Sequence, residues 1–163
     1  MNKRFFWIGF ASGVVGFIIT IAIVFTQFFV QPDISLNQVE TKNLENEKIE
    51  LTEYLGKPIV VNYWATWCAP CLEEFPYFND IKLELGDDVN FIMISDESID
   101  KIKNFSASKP YTFNYLQSPK DLSEYGIIAR PTTYFYNSSG ELVTKHTGGI
   151  SAENLKELIE KIK

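Results

Sequence analysis

Two cysteines, Cys68 and Cys71, stand three positions apart in Trp67-Cys68-Ala69-Pro70-Cys71, and no other cysteine occurs in the 163 residues. Two thiols at this spacing can cycle between a dithiol and a disulfide. The segment follows a short apolar run and opens a helical pattern, so the first thiol is expected at a helix N-terminus. Unpaired N–H groups and the positive end of the helix dipole favour a thiolate there and lower its pKa from about 8.5. Cys68 is therefore the candidate nucleophile. Cys71, one turn further in, can attack a mixed disulfide and release the partner, which makes it the candidate resolving thiol and the two a candidate redox-active disulfide. Pro70 suits the first turn, where its missing N–H costs nothing, and stiffens the link between the sulfurs. Trp67 is either a rim aromatic or an anchor for a partner, and with Ala69 and Pro70 it forms the candidate binding surface.

Other uses of the pair fit less well. A zinc site needs about four ligands, and beyond the two cysteines the chain offers one histidine, His146. That residue falls on an expected late strand and receives no role. Haem attachment needs histidine directly after the second cysteine, where Leu72 stands. A purely structural bridge closing so small a loop constrains the unfolded chain little. No metal and no cofactor are expected.

The elements that position the pair can be read on both sides of it. Pro58 to Trp64 is a nearly continuous apolar run rich in β-branched residues, the pattern of a central strand covered on both faces. Leu72 to Leu85 places Leu72, Phe75, Phe78, Leu83 and Leu85 among charges, a helical pattern that begins at the cysteines and is interrupted by Pro76. Upstream, segments 39–44 and 47–51 flank Glu45-Asn46 as a hairpin, and Thr52 to Gly56 reads as a one-turn helix. Downstream, Val89 to Ser95 reads as a buried strand, Asp100 to Ser106 as a short helix and Thr112 to Leu116 as a further strand. Thr132 to Tyr136 and Leu142 to Thr147 form a second hairpin, and Ser151 caps a final amphipathic helix to Ile162. The order predicts an α/β fold with a mixed sheet and helices on both faces.

Phe5 to Val30 contains no charged residue and exceeds the roughly 20 residues that span a bilayer. No small-x-small cleavage site ends it, so an uncleaved anchor is expected over residues 1–30, followed by a tether at 31–38 and one folded domain at 39–163. Lys3 and Arg4 precede the span and predict a cytoplasmic N-terminus with the domain on the extracytoplasmic side of the cell membrane. The first 30 residues hold two of the 15 basic residues and none of the 21 acidic ones, leaving 13 against 21, a formal charge of −8 on the remainder. Nucleic acid and anionic lipid surfaces are disfavoured as partners of so acidic a domain.

Gly56-Lys57-Pro58 leading into Val60-Val61-Asn62-Tyr63-Trp64-Ala65-Thr66-Trp67-Cys68-Ala69-Pro70-Cys71, then Glu74-Phe75-Pro76, Arg130-Pro131-Thr132-Thr133 and Ser139-Gly140, together resemble the thioredoxin superfamily. The resemblance is specifically to TlpA/ResA-like membrane-anchored thiol-disulfide oxidoreductases and covers residues 39–163. It implies a thioredoxin-like fold with an N-terminal hairpin and a central insertion, here Asp96 to Tyr125. It gives Pro131 the role of a cis-proline that positions a partner's backbone beside Cys68. Six residues before the first cysteine, cytoplasmic thioredoxins typically carry a buried aspartate that shuttles protons; Asn62 stands there and cannot. In ResA-like members a glutamate lies near the active site three residues after the second cysteine. Glu74 has that place, and it is expected either to titrate with the thiols or to be a solvated helix carboxylate. Arg130 departs from the neutral residue common before the cis-proline. Pointing inward, it would stabilise a Cys68 thiolate and push the couple in the oxidising direction.

The function implied is an enzyme, a protein-disulfide reductase acting on exported proteins by dithiol-disulfide exchange and kept reduced by a membrane dithiol carrier, as in cytochrome c maturation. A thiol oxidase or isomerase on the same fold is the nearest alternative, and a non-catalytic thioredoxin-fold binding protein is the alternative of a different class. A peroxidase fits poorly, because threonine would be wanted three residues before the cysteine, where Ala65 stands.

Overall fold

The computed structural model describes residues 3–29 and 31–163. Met1, Asn2 and Val30, the last residue of the expected span, lie outside them. The chain divides into two compact units, residues 1–31 and 32–163. The first is a single helix, α1 (Lys3–Phe29). Within it Trp7–Val24 is long and apolar enough to cross a membrane, with large side chains such as Trp7, Phe10, Phe17 and Ile18 exposed.

The second unit begins with a 3-10 turn at Leu36–Gln38, followed by a hairpin, β1 (Thr41–Lys42) and β2 (Lys48–Ile49), and a 3-10 turn at Leu51–Tyr54. Then come β3 (Ile59–Tyr63), α2 (Ala69–Leu85), β4 (Asn90–Ser95), α3 (Ile99–Ala107), β5 (Asn114–Gln117) and a 3-10 turn at Leu122–Tyr125. The chain ends with β6 (Thr132–Tyr136), β7 (Leu142–Thr147) and α4 (Ala152–Glu160). The seven strands form one sheet in the order β2-β1-β5-β4-β3-β6-β7. β3 lies beside β4 in parallel and beside β6 antiparallel, so the strand that feeds the cysteines is central, as its unbroken apolar run requires. This is the thioredoxin-like mixed sheet that the resemblance implies, and the central insertion carries α3, β5 and the 3-10 turn at Leu122–Tyr125.

Side chains alternate across a strand, and the core divides accordingly. Val60 and Trp64, Phe91 and Met93, and Phe135 face Phe75, Phe78 and Ile81 of α2, Ile102 of α3, and Leu155 and Ile159 of α4. Ile59, Val61, Tyr63, Ile92, Ile94, Tyr134 and Tyr136 face Ile34, Leu36, Leu51, Leu122 and Ile127. The helices on this second face are 3-10 turns; the α-helices after α1 lie on the first. Asn62 and Thr133 alternate onto the α-helical face and are buried there as polar residues.

Two details differ from the sequence reading. The buried stripe of α2 is Cys71, Glu74, Phe75, Phe78 and Ile81, while Leu83 is 69% exposed. Charges around Leu83 and Leu85 blur the periodicity, and packing against β3 and α4 decides the face. Residues 32–38, within the expected tether, pack on the domain instead. Ile34 and Leu36 are buried, and the hydroxyls of Tyr134 and Tyr136 donate to the carbonyls of Pro32 and Ile34 at 2.7 and 2.8 Å. Gly126 has φ +80°, and a Cβ there would stand 2.8 Å from Pro32 Cγ. Isolated apolar residues in a Pro-containing segment lack periodicity, so only the receiving groove reveals their burial.

Candidate active site

Cys68 occupies the N-cap of α2, with extended backbone, and Pro70 lies in the first turn. The two sulfurs form a disulfide. Cys68 is 4% exposed and Cys71 fully buried, so a partner can meet the first sulfur while the second stays behind it. No acidic residue lies in the first turn of α2, leaving the helix's positive end unopposed there. The cysteines sit where they do because β3 ends at Tyr63 and the chain turns through Trp64 to Trp67, closed by Cys68 N–H donating to the Ala65 carbonyl at 3.1 Å.

One turn into α2, Glu74 is 2% exposed rather than solvated. Asn62 Nδ2 donates to its Oε1 at 2.7 Å and to Thr133 Oγ1 at 3.0 Å, while Ile150 N–H donates to its Oε2 at 2.9 Å. Burial pushes the carboxyl up from 4.5 to about 7, against the opposing pull of the Ile150 and Asn62 hydrogen bonds. A carboxyl poised near neutrality thus lies on the same buried stripe of α2 as Cys71, three residues on. Asn62, which cannot shuttle protons itself, orients this carboxyl.

The peptide bond between Arg130 and Pro131 is cis. Pro131 is buried and immediately precedes β6, whose first residue, Thr132, pairs with Tyr63 at the end of β3. The proline therefore lies beside the strand end from which the cysteine loop departs. Gly148 N–H donates to the Pro131 carbonyl at 2.8 Å, and a Cβ on Gly149 would lie 3.9 Å from Pro70 Cβ. The 148–150 segment thus touches Pro131, Pro70 and Glu74 in turn. His146, without a role in the sequence reading, sits at the base of this segment with Nε2 3.2 Å from the Gly149 carbonyl.

Ala69 and Pro70 are exposed, and Trp67 is 68% exposed, too open to be a core aromatic. The Arg130 guanidinium lies 5.7 Å from the Trp67 ring centroid and forms an ion pair with Asp96. Arg130 is not a lone inward cation: the structure pairs it with the carboxylate that directly follows β4. Glu97, next in the chain, accepts from Thr66 N–H at 2.5 Å and from the Thr66 hydroxyl at 2.9 Å, fixing the residue before Trp67. Asp96, Glu97 and Ile150 escaped the sequence reading. Their only local signal is an acidic pair directly after a buried strand, which equally describes a solvated turn. Among the described residues no cluster of three or more histidine, cysteine, aspartate or glutamate residues could hold a metal ion.

The AhpC/TSA family model matches residues 31–145. The thiol-disulfide oxidoreductase ResA of Bacillus thuringiensis subsp. konkukian is 32% identical over 124 residues, 74% of this chain and 72% of that protein. The thioredoxin-like protein YneN of Bacillus subtilis is 28% identical over 134 residues, 79% of this chain and 76% of that one. Among solved structures, the exposed lipoprotein thioredoxin of Streptococcus pneumoniae is similar with a TM-score of 0.64 and 27% identity, over 74% of this chain and 96% of that one.

Proposed function

Starting from a chain that belongs to the AhpC/TSA family and is a ResA-like thiol-disulfide oxidoreductase, we propose that it works as a membrane-anchored reductase of disulfides in exported proteins. The observation that carries this reading is the pairing of a nearly buried disulfide at a helix N-terminus with a buried carboxyl near neutrality one turn behind it. Reduced Cys68, as thiolate, attacks one sulfur of the partner's disulfide. The partner's other sulfur leaves as a thiolate and takes a proton from water. Cys71 then loses its proton to Glu74 and attacks the Cys68 sulfur, which breaks the mixed disulfide and leaves Cys68 and Cys71 oxidised; the partner's second sulfur departs as a thiolate and takes that proton from Glu74, and the partner is released as a dithiol. Pro131 and the exposed Trp67, Ala69 and Pro70 hold the partner chain, with Arg130 at their edge. Positioning by these groups keeps the partner sulfur in line with Cys68.

Residues 1–30 act as the anchor, with α1 crossing the membrane and the domain outside the cytoplasm. Electrons return from a membrane dithiol carrier, and the partner class includes apocytochrome c. The domain itself begins near Pro32, since the residues from there to Gln38 are packed on it. Equilibrating the chain with glutathione or dithiothreitol buffers and trapping its thiols tests the direction of flow. A potential near the roughly −270 mV of thioredoxin supports the reductase, whereas one near the roughly −120 mV of strong oxidants refutes it in favour of a disulfide donor.

A further inference from the structure

We infer that Asp96 is a positioning residue for Arg130: its carboxylate holds the guanidinium as a charge-balanced pair at the Trp67 ring, which keeps that cation from drawing the Cys68–Cys71 couple in the oxidising direction. The inference rests on the oxidoreductase reading and adds to it a residue that sets the couple's potential without touching either sulfur.

Three observations combine. The side chains of Arg130 and Asp96 are each only 14% exposed, so water screens the pair weakly. The pair is held through one nitrogen, Nη2, to one oxygen, Oδ2, while Arg130 Nε is buried without a hydrogen-bond partner. That same Oδ2 accepts from Leu122 N–H at 3.0 Å, so one oxygen joins the end of β4, the 3-10 turn at Leu122 and the loop before Pro131. Arg130 is thus fixed at the ring of Trp67, the residue before Cys68, with its charge already answered. The other charged groups nearby leave Asp96 as the answering one. Glu97 is taken up by Thr66 and Lys101. Asp121 is exposed, and its carboxyl is held low first by Ser123, with Arg130 the smallest contribution.

Removing the Asp96 charge leaves a mostly buried cation against the ring of Trp67, the residue before Cys68, whose thiolate appears in the reduced protein. A cation within reach of a thiol lowers its pKa by about one to three units. At the low end of that range, and at a pH where Cys68 is ionised, the dithiol gains about tenfold over the disulfide. Two glutathiones are oxidised for each protein disulfide reduced, and tenfold in that equilibrium is about 30 mV.

The test uses the full chain in detergent micelles at pH 8.5, equilibrated with glutathione buffers and thiol-trapped, together with the pH profile of Cys68 alkylation. Asp96→Asn keeps an acceptor for Leu122 N–H and removes only the charge. It should favour the dithiol about tenfold and move the alkylation midpoint down by about one unit. The double variant Asp96→Asn/Arg130→Leu, which leaves no buried cation alone, should return the equilibrium to within about threefold of the parent. An unshifted Asp96→Asn overturns the inference, as does a double variant that stays shifted. If Asp96→Asn does not fold, the double variant, which removes both charges, decides: a change under about threefold supports the balanced pair, and a tenfold fall in dithiol shows a cation acting on the sulfur despite Asp96 and overturns it. A parent chain that exchanges no disulfide with glutathione overturns the oxidoreductase reading and this inference with it, which separates the two failures.

Discussion

Replacing Glu74 with glutamine changes how stability depends on pH, in a direction opposite to that of most carboxylates. In the folded protein the carboxyl titrates at about 7, and the usual value is 4.5. Between those values the folded chain holds the proton that the unfolded chain has lost, so the stability contributed by this group falls as pH rises. The full swing is about 2.5 units at 1.36 kcal/mol each, or about 3 kcal/mol, and it is complete above pH 8. Glutamine has no such titration. It does lose one hydrogen bond, because its amide nitrogen meets a donor at either Asn62 Nδ2 or Ile150 N–H, at a pH-independent cost of about 1–3 kcal/mol. The free Oδ1 of Asn62 offers partial relief if that amide turns over. Urea unfolding of the oxidised full chain in detergent, for parent and Glu74→Gln at pH 5, 6, 7 and 8, should show the variant less stable at pH 5 and gaining on the parent by about 2.5 kcal/mol by pH 8. A stability difference that is flat across the series would refute the placement of a protonatable Glu74 in the core.

Cys71→Ser should trap mixed disulfides with partner proteins, and Cys68→Ser should abolish exchange, both read on non-reducing gels. Trp67→Ala should leave the unfolding midpoint unchanged, since the ring is mostly exposed, yet raise KM for a protein disulfide by about five- to thirtyfold, the loss of one aromatic anchor. Glu97→Gln, with the Thr66 contacts weakened, should lower stability by about 1–2 kcal/mol in urea unfolding. Ile34→Ala should cost about 2–4 kcal/mol by the same measurement, because the residue is 3% exposed; a cost under 0.5 kcal/mol would mean that the segment before β1 is a tether after all.

What the chain's order of residues decided by itself is local. Two thiols three apart, a proline between them, an apolar β-branched run before and a helical pattern after are neighbour relations, and they specify a helix-terminal dithiol without reference to the rest of the molecule. The charge-free N-terminal stretch and the central strand are legible for the same reason, since composition over a few turns settles them. Tertiary structure decided which polar groups are buried and what they meet. Glu74 becomes a carboxyl near neutrality only because packing buries it, with the loop at Ile150, 76 residues away in sequence, closing over it, and burial outweighs the opposing pull of the Ile150 and Asn62 hydrogen bonds. Arg130 is a paired rather than a lone cation only because the chain leaves β4 beside it at Asp96, 34 residues earlier. The burial of Ile34 and Leu36 depends likewise on a face built from β6 and the 3-10 turns. A side chain's pKa and charge balance follow from solvent exclusion and from partners brought together by the sheet order, and neither is a property of its neighbours in sequence.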